Sequence, residues 1–204
     1  AELAPDKHIV LLDALTVGMA SAGRNSGFMI DLPHALNSHS YTTDLTHDHN
    51  IIAFNRSGIA YAKRIVEQHN IACDWSESGK IHGATSANGA KSLVSYGQGL
   101  TALNEPFNQL SNQQMQDITG LNYYHSGVFT PGTVLIQPAA FVRGCAQNLP
   151  ANVTLYENTP VTHYQWGSPN VLTTPHGQVS AGQVLLCNNG FAQAFAEQKN
   201  RLVH

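Results

Sequence analysis

The chain has 204 residues, of which 42% are hydrophobic and only 11% are charged, and this composition excludes a disordered segment. The formal net charge of -3 provides no basic surface for nucleic acid, and no apolar run approaches the roughly 18 residues of a membrane span. The three cysteines, Cys73, Cys145 and Cys187, are too scattered for a disulfide framework or a zinc site. We therefore expect a cytoplasmic protein.

The first third of the chain predicts two short strands around a glycine-rich loop, followed by a long helix. Residues 8–14 form an apolar run that is typical of a buried strand. Residues 18–27 are small and rich in glycine, as in a tight loop. Residues 28–32 predict a second strand, and residues 48–70 predict a helix with Asp48 as its N-cap.

The middle of the chain predicts a hairpin and two helices. Residues 73–86 read as two strand-like arms around Gly79. Residues 88–103 have helical spacing, although two glycines weaken it. Ser111 and Gln114 form the pattern of a capping box, and Gly120 would end that helix.

The last third predicts strands around one more helix. Residues 123–136 are strand-like, and Pro138 suits the first turn of a helix over residues 138–148. Further strands are predicted over residues 153–156, 161–166, 171–174 and 183–187, with a turn at 176–177. The order of these elements predicts an α/β or α+β protein.

The acid that ends the first predicted strand is the first candidate for ligand binding. A carboxylate at the carboxyl end of a parallel strand can accept hydrogen bonds from the hydroxyl groups of an adenosine ribose. Asp13, followed by Ala14, has that position. The glycine motif that normally precedes the acid by about 20 residues is absent from the twelve residues before it. A strand that ends in Asp is common, so this feature alone is weak.

The glycine-rich loop carries a sharper pattern. Small residues allow the backbone to approach a ligand closely, and successive amide groups can bind phosphate. The stretch ASAGRNSG, residues 20–27, resembles the GASGRN-[SG]-G motif of bacterial FAD-dependent oxidoreductases in the D-amino-acid oxidase superfamily. Gly23, Arg24 and Asn25 match the motif, whereas Ala20, Ser21 and Ala22 stand where Gly, Ala and Ser are usual. Ala22 therefore lacks the hydroxyl that normally faces the flavin phosphates.

The resemblance continues in order to the end of the chain. Residues 127–138 are similar to the family's passage into its middle flavin-domain strands. Glu157 to Val161 resembles the family strand whose valine packs its backbone against the adenine, and residues 176–190 resemble the segment that ends beside the pyrophosphate. The cofactor-binding residues implied by the resemblance are Asp13, Ala14, Ser21, Ala22, Gly23, Arg24, Asn25, Ser26, Gly27, Val161, Asn188, Asn189 and Gly190.

The resemblance implies a fold, a cofactor and an activity. The fold would be α/β, with a partial Rossmann-like FAD domain over residues 1–34 and 138–204 and an inserted substrate domain, antiparallel sheet plus helices, over residues 35–137. The enzyme would oxidise the C–N bond of an amine or amino acid by transferring hydride to the flavin. The same comparison implies an internal fragment that binds little FAD alone, is inactive, and associates with another chain through unpaired sheet edges.

Two other interpretations remain open at this point. The chain could be a non-catalytic fragment without flavin, or the histidine cluster could bind a metal, since His47 and His49 would share a face of a strand. We favour a polar surface loop for the cluster, which also includes His34 and His39. No catalytic residue is assigned. The candidates for substrate contact by residue type alone are tyrosines that we expect to be buried in the core: Tyr41, Tyr61, Tyr96, Tyr123 and Tyr124.

Overall fold

The computed structural model describes residues 1–33 and 44–194. In chain order its elements are β1 Ile9–Leu12, a 3-10 helix Ser21–Gly23, β2 Phe28–Met29, α1 Leu45–His69, β3 Lys80–Ala84, α2 Ala87–Ala102, β4 Asn108–Ser111, α3 Asn112–Thr119, β5 Ser126–Thr130, β6 Val134–Leu135, α4 Pro138–Gln147, β7 Val153–Tyr156, β8 His163–Gln165, β9 Asn170–Thr174, β10 Gly177–Ala181 and a 3-10 helix Asn189–Ala194. None of the described helices is long and apolar enough to cross a membrane.

The chain divides into two compact units, the first made of residues 1–16 and 150–204 and the second of residues 17–149. In the first unit, β1 pairs with β7 in parallel, from Ile9 opposite Val153 to Leu12 opposite Tyr156. The strands β8, β9 and β10 form a separate antiparallel sheet in the order β10-β9-β8. This unit therefore combines a parallel pair with an antiparallel meander.

The second unit has two antiparallel sheets and all four described α-helices. The strands β3, β5 and β4 form one sheet with β5 in the centre, and β2 pairs with β6. One hydrophobic cluster joins α1 and α2 to that three-stranded sheet. It contains Leu32, Ile52, Ala84, Leu93, Tyr96, Leu100, Leu103 and Val128. A second cluster around Ile71, Cys73, Val134 and Ile136 packs against α4. The predicted α/β class is confirmed, in a form built from small sheets.

Helices with local end signals agree with the prediction. The Ser111 side chain accepts a hydrogen bond from the Gln114 amide, and the Gln114 side chain accepts one from the Ser111 amide. Gly120 ends α3 in a left-handed conformation. The N-cap predicted for α1 was wrong. The helix begins earlier, and Asp44 rather than Asp48 accepts the hydrogen bond of a first-turn amide, that of His47. Asp44 and Asp48 both precede residues with the apolar spacing of a helix, so the sequence pattern alone did not show which of them is the N-cap.

The strand predictions need more correction. The hairpin predicted over residues 73–86 does not form, because β3 pairs with β5 and Ser76 makes only an isolated bridge to Leu135. The strand predicted over residues 183–187 is irregular backbone, with Leu185 88% exposed. The strand predicted over residues 28–32 shortens to β2, and β4 and β10 were not predicted.

A buried ion cluster ties α1 to the segments after β2 and α2. The Arg56 guanidinium donates from Nε and Nη2 to Oδ2 of Asp31 at 3.1 and 2.9 Å. It also donates from Nη1 to Oε1 of Glu105 at 3.0 Å. The side chains of Asp31 and Glu105 are only 1% and 8% exposed. Hydrogen bonding to Glu105, followed by that to Asp31, raises the pKa of Arg56 against the effect of burial.

Candidate functional site

Asp13 follows directly on β1, in the first unit. Its backbone amide donates to the carbonyl of Tyr156 at 3.0 Å, which extends the parallel pairing by one residue. The carboxylate atom Oδ1 accepts from the amide of Leu15 at 2.9 Å. No hydrogen bond to Oδ2 occurs in the described parts of the chain, so this oxygen is available to a ligand hydroxyl. Ala14 is exposed beside it.

The segment after β7 meets the end of β1. The amide of Thr159 donates to the carbonyl of Asp13 at 2.8 Å, and the amide of Asn158 donates to that of Leu15 at 3.2 Å. Val161 is half-buried two residues further along. These two bonds bring together segments that the sequence separates widely, as expected at the carboxyl edge of a parallel sheet.

The last candidate segment, residues 188–190, is not joined to the end of β1 by hydrogen bonds in the described parts of the chain. Asn189 and Gly190 open the final 3-10 helix, and the amide of Phe191 donates to the carbonyl of Asn188 at 3.1 Å. Within residues 1–33 and 44–194, no hydrogen bond connects residues 188–190 to Asp13. Their predicted position beside the end of β1 therefore stays a prediction.

The glycine-rich loop, in the second unit, is organised by Asn25. Its Nδ2 donates to the carbonyls of Ser21 and Ala22 at 3.1 and 2.9 Å, and its Oδ1 accepts from the amide of Gly27 at 2.9 Å. The Asn25 side chain thus fixes the turn with three hydrogen bonds, of which it donates two and accepts one. Arg24 and Ser26 are exposed on it.

The amide groups of the loop divide into two sets. Those of Gly23 and Arg24 donate to the carbonyls of Ala20 and Ser21 within the turn. Those of Ala22, Asn25 and Ser26 donate no hydrogen bond in the described residues, and all three residues are exposed. Exposed backbone amides on a tight turn are suitable donors to phosphate.

The loop is packed closely on α4 and β6. The amide of Ile136 donates to the carbonyl of Gly27 at 3.0 Å, and a Cβ at position 27 would overlap the Ile136 carbonyl oxygen. A Cβ at Gly18 would lie 3.3 Å from Nε of Arg143, so this α4 side chain rests against the start of the loop. A Cβ at Gly23 would overlap the Gly18 carbonyl. The glycines of the motif therefore allow close packing as well as tight turning.

Replacing Gly27 with alanine is expected to lower the free energy of unfolding by more than the cost of placing alanine at a positive φ. Gly27 has φ of +78°, which for alanine costs about 1–2 kcal/mol, and the added methyl group must displace the Ile136 carbonyl. Urea unfolding of the variant measures the loss in the free energy of unfolding.

Gly120→Ala is the matched control for this loss. Gly120 has nearly the same φ of +73°, but a Cβ there has no heavy atom within 4 Å. The Gly27 variant should therefore lose more stability than the Gly120 variant. Equal losses would show that the packing of the loop on β6 contributes nothing.

In the described parts of the chain, the histidines considered for metal binding do not form a metal site, and the tyrosines considered for substrate contact differ in burial. His47 and His49 lie on α1 rather than on a strand, two residues apart and so on different sides of the helix. Residues 1–33 and 44–194 contain no cluster of three possible metal ligands. Tyr96 is buried as expected, but Tyr61 and Tyr123 are 56% and 65% exposed, against the prediction. Tyr124 is half-buried, and His34, His39 and Tyr41 lie outside the described residues.

Comparisons with known proteins give one family and one fold. The sequence model of the FAD dependent oxidoreductase family matches residues 1–203. Glycine oxidase from Geobacillus kaustophilus has a TM-score of 0.73 at 21% identity, over 94% of this chain and 52% of that one. Glycine oxidase from Bacillus cereus has a TM-score of 0.69 at 13% identity, over 90% and 49%.

A third solved structure, the amino acid oxidase NikD of nikkomycin biosynthesis, has a TM-score of 0.70 at 15% identity, over 96% of this chain and 49% of that one. A search of the curated proteins gives no match. The chain spans about half the length of these solved relatives, and their likeness shows a shared fold. Because the family match covers nearly every residue, the chain belongs to the FAD dependent oxidoreductase family.

Proposed function

We propose that this chain is part of an FAD-dependent oxidoreductase that oxidises the C–N bond of an amine or amino acid. The observation that carries the proposal is the parallel pair β1–β7, which ends in a carboxylate with one oxygen available. Its support is the family match together with the names of the similar structures, glycine oxidase and amino acid oxidase. The flavin would supply the hydride acceptor, and the protein would bind and orient it.

The residues present fit the cofactor in two separate places. Asp13 Oδ2 can accept a hydrogen bond from a ribose hydroxyl, as the acid after the second strand does in dinucleotide-binding folds. The unengaged amides of Ala22, Asn25 and Ser26 can donate to phosphate oxygens. Val161, Asn188, Asn189 and Gly190 are proposed as further contacts through the family resemblance. We assign the FAD-binding part to residues 1–34 and 138–204 and the substrate part to residues 35–137.

The proposal is tested by titrating the purified chain, and the longest available form of the protein, with FAD. We expect quenching of flavin fluorescence, weak for the chain alone because few contacts offset the cost of immobilising the ligand. Anaerobic addition of amines and amino acids to the flavin-loaded protein should bleach the visible flavin band. If neither form retains flavin through gel filtration, the alternative of a non-catalytic protein without flavin is correct.

Replacing Asp13 with alanine is expected to weaken FAD binding by about 1.5–3 kcal/mol, the contribution of a hydrogen bond to a charged group. The corresponding loss of affinity is roughly 10- to 150-fold. The measurement is the FAD dissociation constant from fluorescence quenching, made on whichever form of the protein binds flavin.

Asp13→Asn separates ligand binding from local structure. The asparagine carbonyl can still accept from the Leu15 amide, so the turn is kept while the charge is lost. Asp6→Ala, at an exposed carboxylate, serves as the surface control. If Asp13→Asn and Asp13→Ala both bind FAD like the parent, Asp13 does not contact the ribose.

We also propose that the chain associates with itself through the edges of the β1–β7 pair. In the described part of the chain each of these strands has one neighbour only, although parallel strands usually lie inside covered sheets. Leu11 and Tyr156 on these strands are 40% and 50% exposed. Analytical ultracentrifugation should show dimers or larger species that Leu11→Lys reduces, since a charge on an edge strand opposes strand pairing. A monomer at all concentrations would refute this proposal.

A further inference from the structure

Four polar side chains of the second unit are buried without a hydrogen-bond partner at one or more of their polar atoms. Asp31, Thr130 and Thr133 are fully buried, and Lys80 is 9% exposed. The unpaired atoms are Oδ1 of Asp31, Nζ of Lys80, Oγ1 of Thr130 and Oγ1 of Thr133. Native proteins leave few buried polar groups unpaired, because each one loses its hydration without compensation.

The four residues lie around the turn between β5 and β6. Lys80 and Thr130 are cross-strand partners in the β3–β5 pair, so their side chains share one face of the sheet. The amide of Gly79 donates to the carbonyl of Thr133 at 3.1 Å, which places Thr133 next to the start of β3. The Asp31 carboxylate lies against the backbone of Gly132, where a Cβ would overlap it.

Two of these residues, Lys80 and Asp31, also interact electrostatically. Burial lowers the pKa of the Lys80 ammonium below its ordinary value, and the nearby Asp31 carboxylate opposes that effect. Asp31 is already paired with Arg56, but only through Oδ2. Its other oxygen, Oδ1, is thus the acceptor left for Lys80 or for a group between them.

We propose that Asp31, Lys80, Thr130 and Thr133 build an internal hydration site in which ordered water joins the lysine amine to the aspartate carboxylate. Water can accept from the amine and donate to the carboxylate, and buried waters typically make about three hydrogen bonds to polar groups. The two threonine hydroxyls can each donate or accept, so they complete the set. A bound cation would be repelled by a Lys80 ammonium, and an anion by Asp31.

The test is a crystal structure of the chain and of its Thr133→Val variant, at a resolution that shows ordered solvent. We expect solvent density within hydrogen-bonding distance of at least three of the four atoms in the parent. In Thr133→Val, which keeps the shape of the side chain and removes its hydroxyl, the density should be lost. Thr85→Val, at an exposed threonine, is the control and should leave the density unchanged.

The proposal is wrong if Lys80 Nζ contacts Asp31 Oδ1 directly, if the amine reaches the surface, or if solvent contacts fewer than three of the atoms. A measurement in solution tests the hydration site without crystals. Water relaxation dispersion should count at least one fewer long-lived internal water in Thr133→Val than in the parent and the Thr85→Val control. An equal count in all three proteins would overturn the hydration site.

Discussion

Replacing Arg56 with alanine is expected to lower the free energy of unfolding by about 2–4 kcal/mol, because it leaves two buried carboxylates without their shared cation. Asp31 and Glu105 are almost inaccessible to water, and Arg56 makes hydrogen bonds to both. The loss should fall below that of a fully buried pair, since the Arg56 side chain is itself 46% exposed. Urea unfolding monitored by circular dichroism measures it.

Two variants test whether the geometry of Arg56 matters beyond its charge. Arg56→Lys keeps the charge but cannot make the forked contacts to both acids, so it should recover only part of the loss. Lys63 lies on α1 like Arg56, and Lys63→Ala breaks an exposed ion pair with Glu77, so this variant should have little effect. If Arg56→Ala is no more destabilising than Lys63→Ala, the ion cluster does not stabilise the second unit.

Replacing Leu100 with alanine is expected to lower the free energy of unfolding by about 2–5 kcal/mol, as for other large-to-small changes in a packed core. Leu100 is completely buried in the cluster that joins α1 and α2 to the three-stranded sheet. Removing its branched end leaves a cavity that neighbours such as Tyr96 and Val128 cannot close fully. The unfolding midpoint in urea measures the effect.

Val94→Ala is the matched control for Leu100→Ala because it lies on the same helix. Val94 is 55% exposed, so its truncation removes little buried apolar surface. The change in stability should therefore be several-fold smaller. Similar losses for the two variants would mean that the burial of Leu100 contributes no more to stability than an exposed side chain on the same helix.

The helices could be predicted from the sequence because their signals are local. Ser111, Gln114 and Gly120 lie within one short segment, and the structure uses each as expected. One of the two glycines that weakened the α2 prediction, Gly97, has a tertiary role that no local pattern shows. A Cβ at Gly97 would lie 3.1 Å from the ring of Phe107, so a small residue is needed for that ring to pack on the helix.

The strand partners could not be predicted, because pairing is decided by segments far apart in sequence. Residues 123–136 looked like one strand-like stretch, yet β5 pairs with β3 and β4 while β6 pairs with β2. The apolar run at residues 183–187 has no strand partner in the described parts of the chain, so its composition was misleading.

The candidate site was predictable only in part. The position of Asp13 followed from an acid at the end of an apolar run, and the structure places it at the end of β1. The role of Asn25 in ordering the loop was not evident, because its hydrogen-bond partners are carbonyl groups that any residue carries. The buried cluster of Asp31, Lys80 and the two threonines was invisible for another reason, since its members come from distant segments.

The parallel pair β1–β7 has a consequence for the order in which the chain folds. His8 and Thr154, whose side chains are hydrogen-bonded at this pair, are 146 positions apart in sequence. Closing so long a loop costs conformational entropy before any stabilising contact forms. Contacts between residues far apart in sequence therefore slow folding. Collapse of residues 17–149 shortens the effective loop, so β1 should be among the last strands to find its partner. Amide exchange labelling during refolding should accordingly protect β3 and β5 before β1.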